Sequence, residues 1–317
     1  MSKKILVILG GVSKEREISL KSGKACIKAM KAMKYNVELF DPAQQKFSNL
    51  KNFKVDIIFN ALHGKDGEDG VAQSYFEYFK IPYTHSGILS SINAMDKIIS
   101  KEIFKKFKIS TPKYFSINSV KYSFSSLKKS IKNLKTTYPL IVKPSNEGSS
   151  IGVKICKNLK ELKINTEILL KDYNSLIVEK FIGGQEIQVA IMDNKPLGAI
   201  ELKPKRNFYD YRAKYSKSAN TEHIMPANLK KDKYKEILKL ALKAHKALKC
   251  RGITRSDFKF EKNKFWILEI NTQPGMTDLS LVPEIAKYKG ISFKKLVKQI
   301  ILDASLNRWA DWLNHFY

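Results

Sequence analysis

The sequence predicts an α/β protein that is α+β beyond its first third and opens on a doubly wound parallel sheet. Three observations predict this. Up to about residue 95, short apolar runs alternate with stretches of helical spacing, the pattern of parallel strands covered by helices. Further on, apolar runs follow one another across short turns, as antiparallel strands do. Two glycine-bearing turns, Gly10-Gly11 and His63-Gly64, fall at the carboxyl ends of predicted strands, where ligands of such sheets sit.

The elements follow in order. Residues 4–9 (KILVIL) read as a buried strand ending at Gly10-Gly11. Ile18, Cys26, Ile27, Met30 and Met33 recur at helical spacing over 14–34, and YNVELFD is the next strand. VDIIFNALHG is a third strand that runs into the acidic glycine loop HGKDGEDG. GVAQSYFEYFK is helical and IPYTHSG a short strand and turn, while 95–135 reads as helix and loop. YPLIVKPSNEGSSIGVKIC is strand, glycine loop, strand. LIVEKFIGGQEIQVAIMDNKPLGAIEL gives further strands with DNK as a tight turn. KRNFYDYRAKYSKSANTEHIMP has little periodicity, and a loop of that length inside a compact chain reads as a lid or binding loop. DKYKEILKLALKAHKALK is an amphipathic helix, followed by a hairpin, SLVPEIAKYKG, and a last helix from Ser292 to about Leu306. The aromatic tail NRWADWLNHFY exceeds what that helix needs. No internal repeat is visible.

At 317 residues the chain is long enough for a large core and more than one domain. No run approaches eighteen apolar residues, so no membrane span is expected. The first apolar run is short and ends in Gly-Gly, unlike a signal peptide. Cys26, Cys156 and Cys250 are odd in number, widely spaced and without CxxC. Buried thiols in a reducing compartment are expected, hence a cytoplasmic location and neither a disulfide frame nor a zinc site. The net charge of +28 invites a nucleic-acid partner. Against it, only six of 58 basic residues are Arg, and the lysines spread over the chain at solvent positions of helices. A solvated lysine surface that also draws in an anionic nucleotide accounts for the charge.

The hairpin RSDFKFEKNKFWILEINTQPG carries the sharpest chemistry. By strand alternation Asp257 shares a face with Lys259, and Glu269 shares one with Asn271. A three-residue loop would set Asp257 opposite Glu269; a loop of two or four would leave them one step apart on the diagonal. Opposed carboxylates repel unless a hard cation lies between them, and Mg²⁺ takes such oxygen ligands. An exposed strand face with its charges in water is the plain alternative. KPSNEGSSIGV lies between two strands, so it is not a Walker loop; its backbone amides and Lys143 suit phosphate, and a flexible hairpin turn would look alike. Glu179 and Lys180 end a buried strand in IVEKFIGGQE, where an ordinary strand end is the simpler reading. Glu15, near the start of the first helix, is either a dipole-complementing acid or an anchor for a substrate ammonium. His63 is likewise a turn histidine or a ligand contact.

Six motifs occur in order: LGGVSKEREISLKSG, ALHGKDGEDG, KPSNEGSSIGV, FYDYRAKY, RSDF and EINTQPGMTDLSLVP. With them the chain, from residue 1 to about 306, resembles the D-alanine–D-alanine ligases of the ATP-grasp superfamily. The resemblance implies ATP-dependent joining of two D-alanines through a D-alanyl phosphate, giving ADP and phosphate, for peptidoglycan synthesis. It implies an N-terminal α/β domain (1–95), a central domain with the glycine loop (96–180), a C-terminal domain with lid and metal hairpin (181–306) and a tail (307–317).

It also implies residue roles. Lys97, Lys143, Glu179, Lys180, Phe181, Ile182 and Glu186 match the ATP contacts, and Lys214 the lid lysine near the γ-phosphate. Asp257, Glu269 and Asn271 match ligands of two Mg²⁺ ions, with Mn²⁺ as a substitute. Glu15 matches the residue that holds the first D-alanine's ammonium, with His63 nearby. Ser149 and Tyr215 match the hydrogen-bonded set tying Glu15 to the lid. Arg255 and the backbone near Gly275 match an oxyanion site, and Ser280 and Leu281 the second D-alanine's carboxylate pocket. The tyrosine-bearing lid favours D-alanine over D-lactate or D-serine as second substrate. A homodimer without nucleic-acid or membrane partners is the implied form. Thr254 and Ser256 flank Arg255 where many members have Gly before it, and Gln273 stands where Ser is frequent; neither departure removes a ligand.

Overall fold

The computed structural model describes residues 3–204, 221–277 and 279–306. Lys214 and Tyr215, the rest of the FYDYRAKY loop and the tail from 307 lie outside these residues. Among the described residues three sheets organise the chain. The first is parallel, in the order β2-β1-β3, from β1 (Lys4–Ile8), β2 (Asn36–Phe40) and β3 (Ile57–Asn60). Its alternation buries both faces. Ile5 and Val7 share a core with Cys26 and Met30 of helix α1 (Arg16–Ala32), while Leu6 and Ile8 share another with Phe76 of α2 (Val71–Tyr78). Tyr83 of IPYTHSG extends the sheet by a parallel bridge to Ile58.

The second sheet is antiparallel, in the order β4-β7-β5-β6, from β4 (Tyr114–Asn118), β5 (Leu140–Pro144), β6 (Lys154–Cys156) and β7 (Ser175–Lys180). Helices α5 (Phe124–Leu134) and α6 (Leu159–Leu169) pack their Leu127, Leu162 and Leu169 onto it. β4 corrects the reading of 95–135 as helix and loop. Among the described residues it is an edge strand paired only with β7, and a half-buried edge needs no regular apolar alternation. The helices of that stretch are α4 (Lys97–Lys106), preceded by α3 (Ile88–Met95).

The third sheet runs β10-β9-β8-β11-β12, from β8 (Gln185–Met192), β9 (Lys195–Lys203), β10 (Glu222–Ile224), β11 (Ile253–Glu261) and β12 (Lys264–Asn271). Helix α7 (Lys231–Ala247) covers one face with Ile237, Ala241 and Ala244, and Phe104 of α4 joins that core. The other face, with Ala190 and Ile200, shares a core with α8 (Leu281–Tyr288), α9 (Phe293–Leu302) and α1. The first and third sheets are thereby cemented through α1. Cys26, Cys156 and Cys250 are buried and unbridged.

The β11–β12 hairpin turns on two residues, Lys262 and Asn263, both with positive φ. A two-residue turn in unbroken register would leave Asp257 one step from Glu269. The register instead shifts between Asp257 and Phe258, so that Phe258 faces Ile267 while Asp257 faces Glu269. Leu268 is the extra residue of a β-bulge. The bulge reverses parity: Phe265 and Ile267 lie in the core beneath, and so does Ile270, although an unbroken strand would turn Ile270 the other way. Glu269 and Asn271 thus emerge on the open face with Asp257 and Arg255.

Candidate active site

Two adjoining cavities lie where the three sheets meet, and Lys97, Glu147 and Glu269 line both. The deeper one is bounded by the second and third sheets. Lys97, Lys143, Glu179, Lys180, Phe181, Ile182 and Glu186, all predicted to contact ATP, line it together with Asp257. The chain passes from β7 to β8 through Phe181–Gly184, so five of these seven come from one strand-to-strand crossing.

Its charges are paired within the cavity. Glu186 meets Lys259 at 3.0 Å, and Lys97 reaches Glu269 at 3.4 Å while donating to the Glu147 carbonyl at 2.5 Å. Glu179, buried at the end of β7, receives Lys143 at 2.6 Å on one oxygen and has Lys101 2.8 Å from the other. Burial alone would raise the Glu179 carboxyl, but the two lysines outweigh it and hold it well below the ordinary range. Lys101 is absent from the sequence-derived set. Its position on an amphipathic helix gives no sign that its ammonium is folded inward.

The second cavity opens toward the N-terminal sheet. Glu15, Ser149, Arg255, Asn271, Gly275, Ser280 and Leu281 line it, with Glu269 at the shared wall. Glu15 is the N-cap residue of α1, yet its side chain makes no capping bond. The carboxylate turns away from the helix and accepts a short hydrogen bond from Ser149 Oγ, 134 residues distant. Two glycines make the room: a Cβ on Gly64 would fall 2.7 Å from Glu15 Oε2, and one on Gly148 2.9 Å. Gly64 also needs its positive φ of 71°.

His63 stands one layer behind the wall. Its ring bridges Glu68 at 2.9 Å and Ser22 at 3.1 Å, and Ser22 Oγ accepts the Met276 amide at 3.1 Å. Glu68 itself lines the cavity; burial pushes its carboxyl up, and His63 opposes the shift. Gln273, the departure in NTQPG, donates its side-chain amide to the Leu62 carbonyl and so joins the hairpin's exit turn to the HG loop. Thr254 and Ser256 face the other way; Thr254 Oγ1 lies 2.8 Å from His245 of α7, so this departure does not touch the cavity. Ser280 is the N-cap residue of α8 but makes no side-chain capping bond; its Oγ accepts the Thr277 amide at 2.9 Å.

Asp257 and Arg255 form a two-pronged pair at 2.8 and 3.0 Å. Asp257, Glu269 and Asn271 offer only oxygen toward a cation, from one face of one hairpin, and the two carboxylates are directly opposed. Lys97 and Arg255 now offset their charge. The donor set fits Mg²⁺ and does not fit a soft metal. Gln188, opposite Asp257 on the neighbouring strand β8, lines the second cavity 1% exposed, and among the described residues neither of its amide atoms has a partner. Sequence reading passed over it, since Gln inside a strand carries no signal by itself.

The chain is similar to known proteins in sequence and in fold. Residues 103–302 match the family model described as D-ala D-ala ligase C-terminus, and residues 40–86 the one described as D-ala D-ala ligase N-terminus. A D-alanine–D-alanine ligase of Pelagibacter ubique (strain HTCC1062) is 55% identical over 97% of this chain and 100% of its own length. A crystal structure of the D-alanine–D-alanine ligase from Bacillus anthracis is 35% identical, with a TM-score of 0.83, covering 96% of this chain and 97% of its own. A structure of a Bacillus anthracis ligase complexed with ATP is 33% identical, with a TM-score of 0.83 over 95% of this chain and 97% of its own.

Proposed function

The chain belongs to the D-alanine–D-alanine ligase family, and from that premise we propose how its residues divide the work of joining two D-alanines at the expense of ATP. The single observation that carries the assignment is the shared wall. Lys97 and Glu269 border both cavities, so a nucleotide in the deeper one points its phosphates at an amino acid in the other.

In this reading the nucleotide's base lies along Phe181 and Ile182 over Glu179, with Glu186 toward the ribose. Lys97 and Lys143 take the phosphates. Asp257, Glu269 and Asn271 hold Mg²⁺, two ions with Mn²⁺ as a substitute. When bound there, the metal neutralises phosphate charge and aligns the transferring group. Glu15, fixed by Ser149, holds the first D-alanine's ammonium. That leaves the carboxylate of this D-alanine facing the shared wall, where it receives the γ-phosphoryl group as an acyl phosphate.

The second D-alanine's carboxylate lies against Ser280, Leu281 and the amide end of α8. Its amine attacks the acyl carbon and phosphate leaves. Arg255 and the backbone at Gly275 stabilise the negative oxygen of that tetrahedral intermediate. Lys214 and Tyr215 would close over the site from the 205–220 loop and exclude water, to which an acyl phosphate is vulnerable. The product dipeptide serves peptidoglycan synthesis. A cytoplasmic homodimer is the working form we infer. Among the described residues no helix is long and apolar enough to cross a membrane.

The test is phosphate release from Mg·ATP by the purified chain with D-alanine alone, and with L-alanine, D-serine or D-lactate beside D-alanine, products identified by mass. D-alanine-dependent release with D-alanyl-D-alanine formed is expected. Release only with a mixed pair would move the specificity of the second subsite, and no release with any pair would refute the assignment.

A further inference from the structure

Lys101 is a lysine with 0% exposure, enclosed on α4 between the second and third sheets. A buried ammonium is costly unless its charge and protons are satisfied. Here Nζ donates to Thr111 Oγ1 at 2.6 Å and stands 2.8 Å from Glu179 Oε2. Thr111 in turn donates to the Ile267 carbonyl at 3.0 Å, and the Ile267 amide donates to Ser110 at 2.9 Å. Lys101 is therefore anchored to β12 one residue before the bulge that presents Glu269.

One lysine would neutralise Glu179, yet two attend it. The two differ in what else they can reach. Lys143 lines the nucleotide cavity and is free to turn to a phosphate; Lys101 is held behind the wall and does not line either cavity. If Lys143 were its only partner, Glu179 would lose its counter-charge as nucleotide entered, and a buried lone carboxylate takes up a proton or swings away. An ionised carboxylate only accepts hydrogen bonds, and each oxygen can take more than one. It suits a base edge bearing an exocyclic amine and opposes one bearing a carbonyl.

We propose that Lys101 is a positioning residue for nucleotide choice: it stays on Glu179 when Lys143 turns to phosphate, keeping that carboxylate an acceptor that admits a purine with an amine at C6 and rejects one with a carbonyl there. The proposal rests on the reading of the deeper cavity as the ATP site, and the experiment separates the two. Binding of ATP and of GTP is measured by calorimetry on the full chain without amino acid, for wild type, Lys101→Met and the neutral pair Lys101→Met/Glu179→Gln, alongside steady-state kinetics with ATP.

Wild type is expected to prefer ATP strongly. In Lys101→Met the ATP-to-GTP affinity ratio is expected to fall by about tenfold or more, with KM for ATP affected more than kcat. The neutral pair guards against misfolding of the single variant, because it removes both buried charges. Its glutamine both donates and accepts, so its ratio is expected to approach one. Equal losses for ATP and GTP in Lys101→Met, or a wild-type ratio in the neutral pair, would overturn the proposal while leaving the ATP site standing. A wild-type protein that bound neither nucleotide would overturn the ATP-site reading and the proposal with it.

Discussion

The two cavities are built in opposite ways. Five of the seven nucleotide candidates lie within residues 179–186, and Lys143, Lys97, Lys259 and Lys101 each already face a carboxylate there. The second cavity, proposed for the amino acids, gathers Glu15, Ser149, Gly275 and Ser280 from turns and helix starts and Arg255 from strand β11, across most of the chain. Its Glu15 is met by a hydroxyl and its Glu68 by a histidine, and among the described residues Gln188 has no partner there. A cavity made from one strand crossing depends on local geometry and internal charge balance. A cavity made from distant turns depends on the cores that hold those turns together.

The largest expected effect comes from the wall they share. Glu269→Gln keeps the shape and removes one charge. Turnover is expected to fall by about 10²–10³-fold or more, the range for a lost electrostatic contact to the reacting group, with the melting temperature near wild type. Full activity would sink the metal assignment.

Glu15→Gln sharpens the contrast between the cavities. KM for the first D-alanine is expected to rise by about two orders of magnitude, as a buried charge pair with the ammonium is lost, while ATP affinity measured by calorimetry stays within about twofold. An equal loss of ATP affinity would mean that the cavities are not separable. The smallest effect is expected at Asp41, which accepts from Arg16 at 2.7 and 3.0 Å and from the Gly11 amide at 2.9 Å and so steadies the turn before Glu15. Asp41→Asn should cost about 1 kcal/mol of stability in a denaturant titration at pH 7. Burial would raise the Asp41 carboxyl, but Arg16 and the amides of Gly11 and Ala43 draw it below its ordinary 3.8. A depressed carboxyl stabilises above that value and loses its contribution as pH falls through the folded one. The gap between variant and wild type should therefore close below about pH 4. A gap that persisted in acid would point to packing instead.

Much of this was legible from residue order. The alternation of KILVIL and VDIIFN announced a sheet buried on both faces, and Asp257, Glu269 and Asn271 declared an oxygen-rich strand face, because period two is a local property. Five motifs on described residues led to residues that the fold gathers around two joined cavities. β4 was missed because an edge strand answers to one neighbour only. The roles expected of Lys214 and Tyr215 lie outside the described residues.

What the sequence determined by itself was the set of elements and the residue types at their ends, since propensity and periodicity act over a few positions. Only the tertiary structure decided the rest. Packing of Phe265, Ile267 and Ile270 into one core forced the bulge that makes two opposed carboxylates from a two-residue turn. The joint core of α1 with α8 and α9 sets the helix that carries Glu15, which meets a serine 134 residues away. Enclosure between two sheets turned Lys101, one lysine among many, into the fixed counter-ion of Glu179. Each depends on burial shared between segments far apart in the chain, and local residue order carries no record of that.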